Sequence, residues 1–138
     1  MKSLKSIILT VLTVAMSTLT AQAAISVGAE QTSEYIPLLK GKRVALLSNH
    51  TGMVGNEHVL DIMLRKGVNV TTIFSPEHGF RGNADAGEHV KSSIDPKTGI
   101  PIASLYDGNK REPKKEIMAK FDIIVTDIQD VGLRFYTY

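Results

Sequence analysis

The sequence predicts an α/β protein with a mainly parallel sheet, and three observations carry that prediction. Three short runs read as strands: 43–48 is continuously apolar, as a strand buried on both faces requires, 68–74 is β-branched and aromatic, and 121–126 reads as another buried strand. A stretch of helical period separates the first two runs. Gly41, Gly67, Pro101 and Pro113 punctuate the boundaries of these segments and leave their interiors uninterrupted.

In chain order, Ala24 to Ser33 is small and polar, which suits a flexible lead-in extending to residue 40. Arg43-Val44-Ala45-Leu46-Leu47-Ser48 follows Gly41 as the first strand. Asn56 is suited to cap the next helix, in which Val59, Leu60, Met63 and Leu64 recur at helical spacing and which Gly67 closes. Val68 to Phe74 is β-branched and aromatic, a second strand that completes a βαβ unit with parallel strands. From Phe74 to Ile102 the chain is rich in Gly, Asp and Pro without a sustained period, and loops of that length are functional or disordered. Pro101 to Tyr106 forms a third strand, Pro113 opens a helix through Met118, and Phe121 to Thr126 forms a fourth strand.

Ahead of these elements lies an export signal. Lys2 and Lys5 precede an apolar run from Ile7 to Ala15, and Ala21-Gln22-Ala23 supplies the small residues of a cleavage site. Residues 1–23 are therefore expected to be removed as a signal peptide, leaving a secreted or periplasmic protein. Thr10, Thr13, Ser17, Thr18 and Thr20 break the run short of the ~20 apolar residues that span a bilayer, so no integral membrane anchor is expected after cleavage.

Composition narrows the partners. The 138-residue chain carries 16 Lys+Arg against 14 Asp+Glu; without Lys2 and Lys5 the balance is 14 to 14. A neutral mature chain has no excess of cations for a phosphate backbone, which argues against a nucleic-acid partner. The absence of cysteine excludes a disulfide framework, a thiolate metal site, a cysteine nucleophile and a lipid-modified cysteine. The roughly 115 residues after cleavage suffice for one modest core.

Ligands of open α/β sheets bind outside the carboxyl ends of the strands. Three polar segments leave the strands at that edge: Asn49-His50-Thr51-Gly52, Ser75-Pro76-Glu77-His78-Gly79 and Asp127-Ile128-Gln129-Asp130. Each taken alone is also a good turn or cap, and their coincidence at one edge is what marks a site. Glu77 lies between a stiff proline and a permissive His78-Gly79 pair, as a positioned acid or base requires, with a surface turn glutamate as the alternative. His78 reads best as a hydrogen-bond support for Glu77. Arg81 and Arg134 are candidates to grip an anionic group bidentately. His58 and His89 lack such a context and read as surface residues. The glycine-rich motifs of dinucleotide and nucleoside triphosphate sites are absent, as is a serine nucleophile elbow, so no cofactor is expected and carboxylate and histidine chemistry is what the sequence offers.

These residues resemble a known family. Ser75-Pro76-Glu77-His78-Gly79-Phe80-Arg81-Gly82, Asp85-Ala86-Gly87-Glu88, Asp95-Pro96-Lys97-Thr98-Gly99-Ile100-Pro101 with Ser104-Leu105-Tyr106, Asp127-Ile128-Gln129-Asp130-Val131-Gly132, and Arg134-Phe135-Tyr136-Thr137-Tyr138 are similar to the motifs of the DUF1343 family. Its characterised members are exo-β-N-acetylmuramidases of the NamZ type. The resemblance implies a Rossmann-like domain over 41–138, an active site in the cleft against a second domain, and release of N-acetylmuramic acid from the non-reducing end of peptidoglycan fragments. Because Tyr138 follows directly on a family motif, the chain reads as an amino-terminal part of such a protein.

Carried onto this sequence, the resemblance makes Glu77 the acid/base, assisted by His78. Glycoside hydrolysis normally uses a second carboxylate, for which Asp127, Asp130, Asp85 and Glu88 are candidates. Asn49, Thr51, Arg81 and Arg134 are candidates for substrate contact, the arginines toward the lactyl carboxylate of muramic acid. Two other classes stay open: a metal-dependent hydrolase using His50, Glu77, His78 and Asp127, although no HExxH-like spacing supports it, and a non-catalytic glycan-binding module. The first expectation concerns export. N-terminal sequencing of the secreted protein should begin at Ala24, and soluble exported material that still carries Met1 would contradict the signal-peptide assignment.

Overall fold

The computed structural model describes residues 25–82, 91–106, 112–129 and 132. The expected signal peptide, and with it Asp85, Glu88, His89, Asp130 and Arg134, lies outside the described residues. A five-stranded sheet carries the fold. In chain order its strands are β1 (Arg43–Ser48), β4 (Asn69–Ser75), β5 (Ser93–Ile94), β6 (Pro101–Ser104) and β7 (Ile123–Asp127), laid out β5-β6-β4-β1-β7. The strands β6, β4, β1 and β7 run parallel, and β5 is antiparallel at the margin. This is the three-two-one-four order of a Rossmann-like sheet, which reverses direction between β1 and β7.

β1 takes an interior place, between β4 and β7, because nothing from Val44 to Leu46 resists burial. Val44, Ala45 and Leu46 are wholly inaccessible, and the strand pairs with β4 on one side and β7 on the other. On one face Val44 and Leu46 pack with Ile73, Val70 and residues of two helices, α1 (Thr32–Leu39) and α2 (Val59–Arg65). On the other, Ala45, Phe74 and Ala103 meet Ile117 of the short helix α3 (Lys115–Met118) and Phe121, with the Phe74 and Phe121 rings edge to face at 5.7 Å. Thr72, also on β4, is the one buried side chain whose polar atom lacks a hydrogen-bond partner among the described residues.

Three expectations need correction. The lead-in over residues 24–40 is structured from Gly28 onward: a 3₁₀ turn at Gly28–Glu30 leads into α1, which holds Leu39 in the core despite Pro37. Asn56 does not cap α2. A small hairpin, β2 (Met53–Val54) with β3 (Glu57–His58), intervenes, and the His58 Nδ1 accepts the Leu60 N–H at 3.1 Å. The helix expected from Pro113 starts later, at Lys115. The first strand and the close of α2 at Gly67, in its left-handed conformation, agree with the sequence reading.

Among the described residues no helix is long and apolar enough to cross a membrane. Since β1 is the hub of both faces, truncating Leu46 to Ala should cost about 3 kcal/mol, within the range for cavity-forming core substitutions. A denaturant midpoint within experimental error of the parent would show that the two-sided packing of β1 is not what holds the fold.

Candidate functional site

Parallel strands deliver their carboxyl ends to one edge, and the register makes β1 and β7 finish level, with Ser48 opposite Asp127. Asn49 to Gly52 meets the described part of the segment after β7, Asp127 to Gln129, and the segment after β4 starts beside them. Asn49, buried just beyond β1, folds its chain with its own side chain: Oδ1 accepts the Thr51 N–H at 3.0 Å and lies 2.8 Å from the Thr51 hydroxyl. Its Nδ2 donates to Gln129 Oε1 at 3.1 Å, and the same oxygen lies 2.7 Å from the Thr51 hydroxyl. Asn49 and Thr51 thereby lock the loop after β1 to the loop after β7.

Gly52 permits this closure. A Cβ there would fall almost onto the Ser48 hydroxyl and 2.9 Å from Asp127 Oδ2, so the half-buried Asp127 carboxylate approaches backbone that no other residue type would leave open. A cavity of about 400 Å³ adjoins it, lined by Tyr35, Thr51, Met53, Val59, Val125 and Asp127 among others. The Tyr35 hydroxyl donates to the Ala29 carbonyl at 3.1 Å, and burial together with the nearby Asp127 charge pushes that phenol above its ordinary pKa.

The third segment leaves β4. Glu77 is a carboxyl group with only 7% of its surface exposed, and His78 is half-buried beside it in a left-handed backbone conformation (φ 69°), followed by Gly79 at φ 76°. Left-handed backbone at a residue with a Cβ is held by its surroundings at a cost of roughly 1–3 kcal/mol. His50 touches this loop at its far end: a Cβ on Gly82 would come within 2.9 Å of the His50 ring.

His58 and Arg81 depart from the sequence reading. His58 is buried, not superficial. Its Nδ1 caps α2, which leaves the proton on Nε2 to donate to the Asn49 carbonyl at 2.9 Å, and its ring meets Phe80 edge to face at 4.8 Å. Arg81 does grip an anion bidentately, but the anion is Asp95: Nε to Oδ1 at 3.1 Å and Nη2 to Oδ2 at 3.0 Å. The guanidinium also lies over the Phe80 ring, 4.9 Å from its centroid. Two of the Arg81 nitrogens are thus committed to a partner within the protein. Burial pushes the inaccessible Asp95 carboxyl up, and the hydrogen bonds from Arg81 and Thr98 outweigh that, so its pKa lies below the ordinary value and its charge persists at neutral pH.

Among the described residues no three histidine or acidic side chains converge as metal ligands, so His50, Glu77, His78 and Asp127 do not form the set a metal-dependent hydrolase would need. What the edge offers is a buried carboxyl group, a second carboxylate at the strand-order reversal, and neutral hydrogen-bonding groups between them.

Sequence comparison decides the affiliation. Residues 44–138 match the family model described as exo-beta-N-acetylmuramidase NamZ, N-terminal. The chain belongs to the NamZ family. It is 46% identical over 107 residues to the peptidoglycan beta-N-acetylmuramidase NamZ of Bacillus subtilis, an alignment covering 76% of this chain and 26% of that protein. Two crystal structures of DUF1343 family proteins from Bacteroides fragilis share the fold, one at 59% identity and TM-score 0.65, the other at 38% and 0.66, each covering 79% of this chain and 27% of its own. The chain thus spans about a quarter of the length of these relatives.

The role of His58 yields a prediction with a definite sign. Burial, the largest cause, lowers its pKa, so the fold favours neutral imidazole; protonation would place a hydrogen on Nδ1 against the Leu60 N–H. The stability it contributes is complete above the ordinary histidine value of 6.5 and is lost as pH falls below it toward the lowered folded value. Thermal unfolding should show the parent losing stability through this window while His58→Asn, which keeps a capping oxygen without a titrating ring, loses less. Parallel profiles for the two proteins would remove His58 from the account.

Proposed function

We propose that this chain provides one wall of the active site of an exo-acting glycosidase that releases N-acetylmuramic acid from the non-reducing end of peptidoglycan fragments, working outside the cytoplasm after removal of residues 1–23. The observation that carries the reading is Glu77: an almost inaccessible carboxyl group on a conformationally fixed turn, at the binding edge of a Rossmann-like sheet, within the proline-glutamate-histidine-glycine motif of the family.

In this reading Glu77 donates its proton to the glycosidic oxygen as the bond to the sugar breaks, with His78 holding it in place. The second group is a carboxylate across the edge, Asp127 or its near neighbour Asp130, or a group from Asp85, Glu88 or chain outside this sequence. Asn49 and Thr51 present a neutral hydrogen-bonding rim. With Arg81 committed to Asp95, the lactyl carboxylate falls to Arg134.

The test is Glu77→Gln in the full-length gene product. The amide keeps size and hydrogen bonding but has no proton to transfer, so kcat on a muramyl glycoside with a poor leaving group should fall by ~10²- to 10⁴-fold. An activated aryl glycoside needs less protonation and should lose less in the cleavage step. A binding residue would raise KM for both substrates alike, and an unchanged kcat on the poor leaving group would move the acid to Asp127 or Asp130.

A further inference from the structure

The loop that carries Glu77 is fixed at both ends, and its far end is fixed by charge. Ser75 is wholly buried at the end of β4 and its carbonyl accepts the Leu105 N–H at 2.8 Å. Five residues on, Phe80 is buried in the main core against His58, and Arg81 spans from that ring to the inaccessible Asp95 carboxylate. Asp95 belongs to a turn that is itself saturated. Oδ2 accepts the Thr98 N–H at 3.2 Å and the Thr98 hydroxyl at 2.6 Å, and the Asp95 carbonyl accepts the Gly99 N–H at 2.8 Å. Lys97 of the same turn reaches Asp61 on α2 at 2.6 Å.

We propose that the Arg81–Asp95 pair is a positioning device for the Glu77 loop, so that the Asp95-Pro96-Lys97-Thr98-Gly99 turn belongs to the active site although no atom of it need touch substrate. The inference rests on Glu77 acting as proposed above. Its physical basis is the left-handed backbone at His78, a conformation that relaxes unless both flanks are held. The β4 end is held by sheet hydrogen bonds. The other end is held by a bidentate, charge-assisted fork to a carboxylate that has nowhere else to go, a geometry in which small displacements are resisted. A catalytic carboxyl group displaced by about 1 Å loses on the order of 10²-fold in rate, so such a fork has leverage on kcat without contact to the reacting atoms.

The experiment compares Asp95→Asn and Arg81→Lys in the full-length gene product, with Glu77→Gln alongside, by steady-state kinetics on a muramyl glycoside and by amide hydrogen exchange. Both variants should lower kcat roughly tenfold to a hundredfold with KM within about twofold of the parent, and the double variant should lose little beyond either single one. Exchange across 76–82 should accelerate while that of 43–48 stays as in the parent. Unchanged kcat, or a raised KM with unchanged kcat, would overturn the proposal, the latter by making Arg81 a substrate contact. So would equal acceleration of both segments, which would assign the pair to the fold at large. Should Glu77→Gln retain kcat, the acid assignment fails, and the exchange data still decide whether the pair fixes the loop.

Discussion

A strand hydrogen-bonded along both edges and covered on both faces has no room for a polar side chain until it ends, and β1 obeys that constraint from Val44 to Leu46. Its polar residues accumulate just beyond, at Ser48, Asn49, His50 and Thr51. β4 and β7 run parallel to it and end at the same edge, so Glu77 and Asp127 emerge beside the loop that follows β1. The chemistry of the edge is thus a by-product of how completely the centre of the sheet is buried. Neither carboxyl group would be placed by local sequence if β1 were free to shift register, because a one-residue slip would turn its apolar set to the opposite face.

What the sequence revealed follows from which interactions are local. β1 was legible to the residue because a continuous apolar run between Gly41 and Asn49 admits one reading. The edge cluster was legible because strand ends in parallel sheets share a side. The β2–β3 hairpin was not, since two-residue strands carry no period, and α1 was masked by small polar residues and Pro37. The burial of His58 and the ion pair of Arg81 were not legible for one reason: their partners are distant in sequence. Nothing near His58 announces Phe80, and nothing near Arg81 announces a carboxylate 14 residues away that burial leaves dependent on it. The close fit of Gly52 under Asp127 belongs to the same class, since a glycine in a turn reads as turn chemistry until the opposite strand is in place.

Charge is used unevenly. The pairs Arg43–Asp122 and Arg65–Glu57 are exposed, and such pairs contribute little on average, although hydrogen bonds from both the side chain and the backbone N–H of Arg43 hold the Asp122 carboxyl down at about 2. Arg81–Asp95 differs because one partner is sealed from water, and removing the other would strand a charge. Lys97–Asp61 ties the same turn to α2 from outside. Among the described residues the charge pair sealed from water thus lies beside the loop that bears Glu77, while the sheet interior is held by apolar packing.

The backbone of His78 has a consequence for how this protein can change. At φ 69° glycine would be relaxed and asparagine tolerated, whereas most other residues would add strain. Selection for heat resistance alone would favour exchanging the imidazole for one of these, gaining conformational ease and discarding the ring beside Glu77. With His78 supporting Glu77 as proposed, stability and activity pull in opposite directions at this position, and directed evolution screened only for melting temperature would drift toward a sturdier protein with an impaired site.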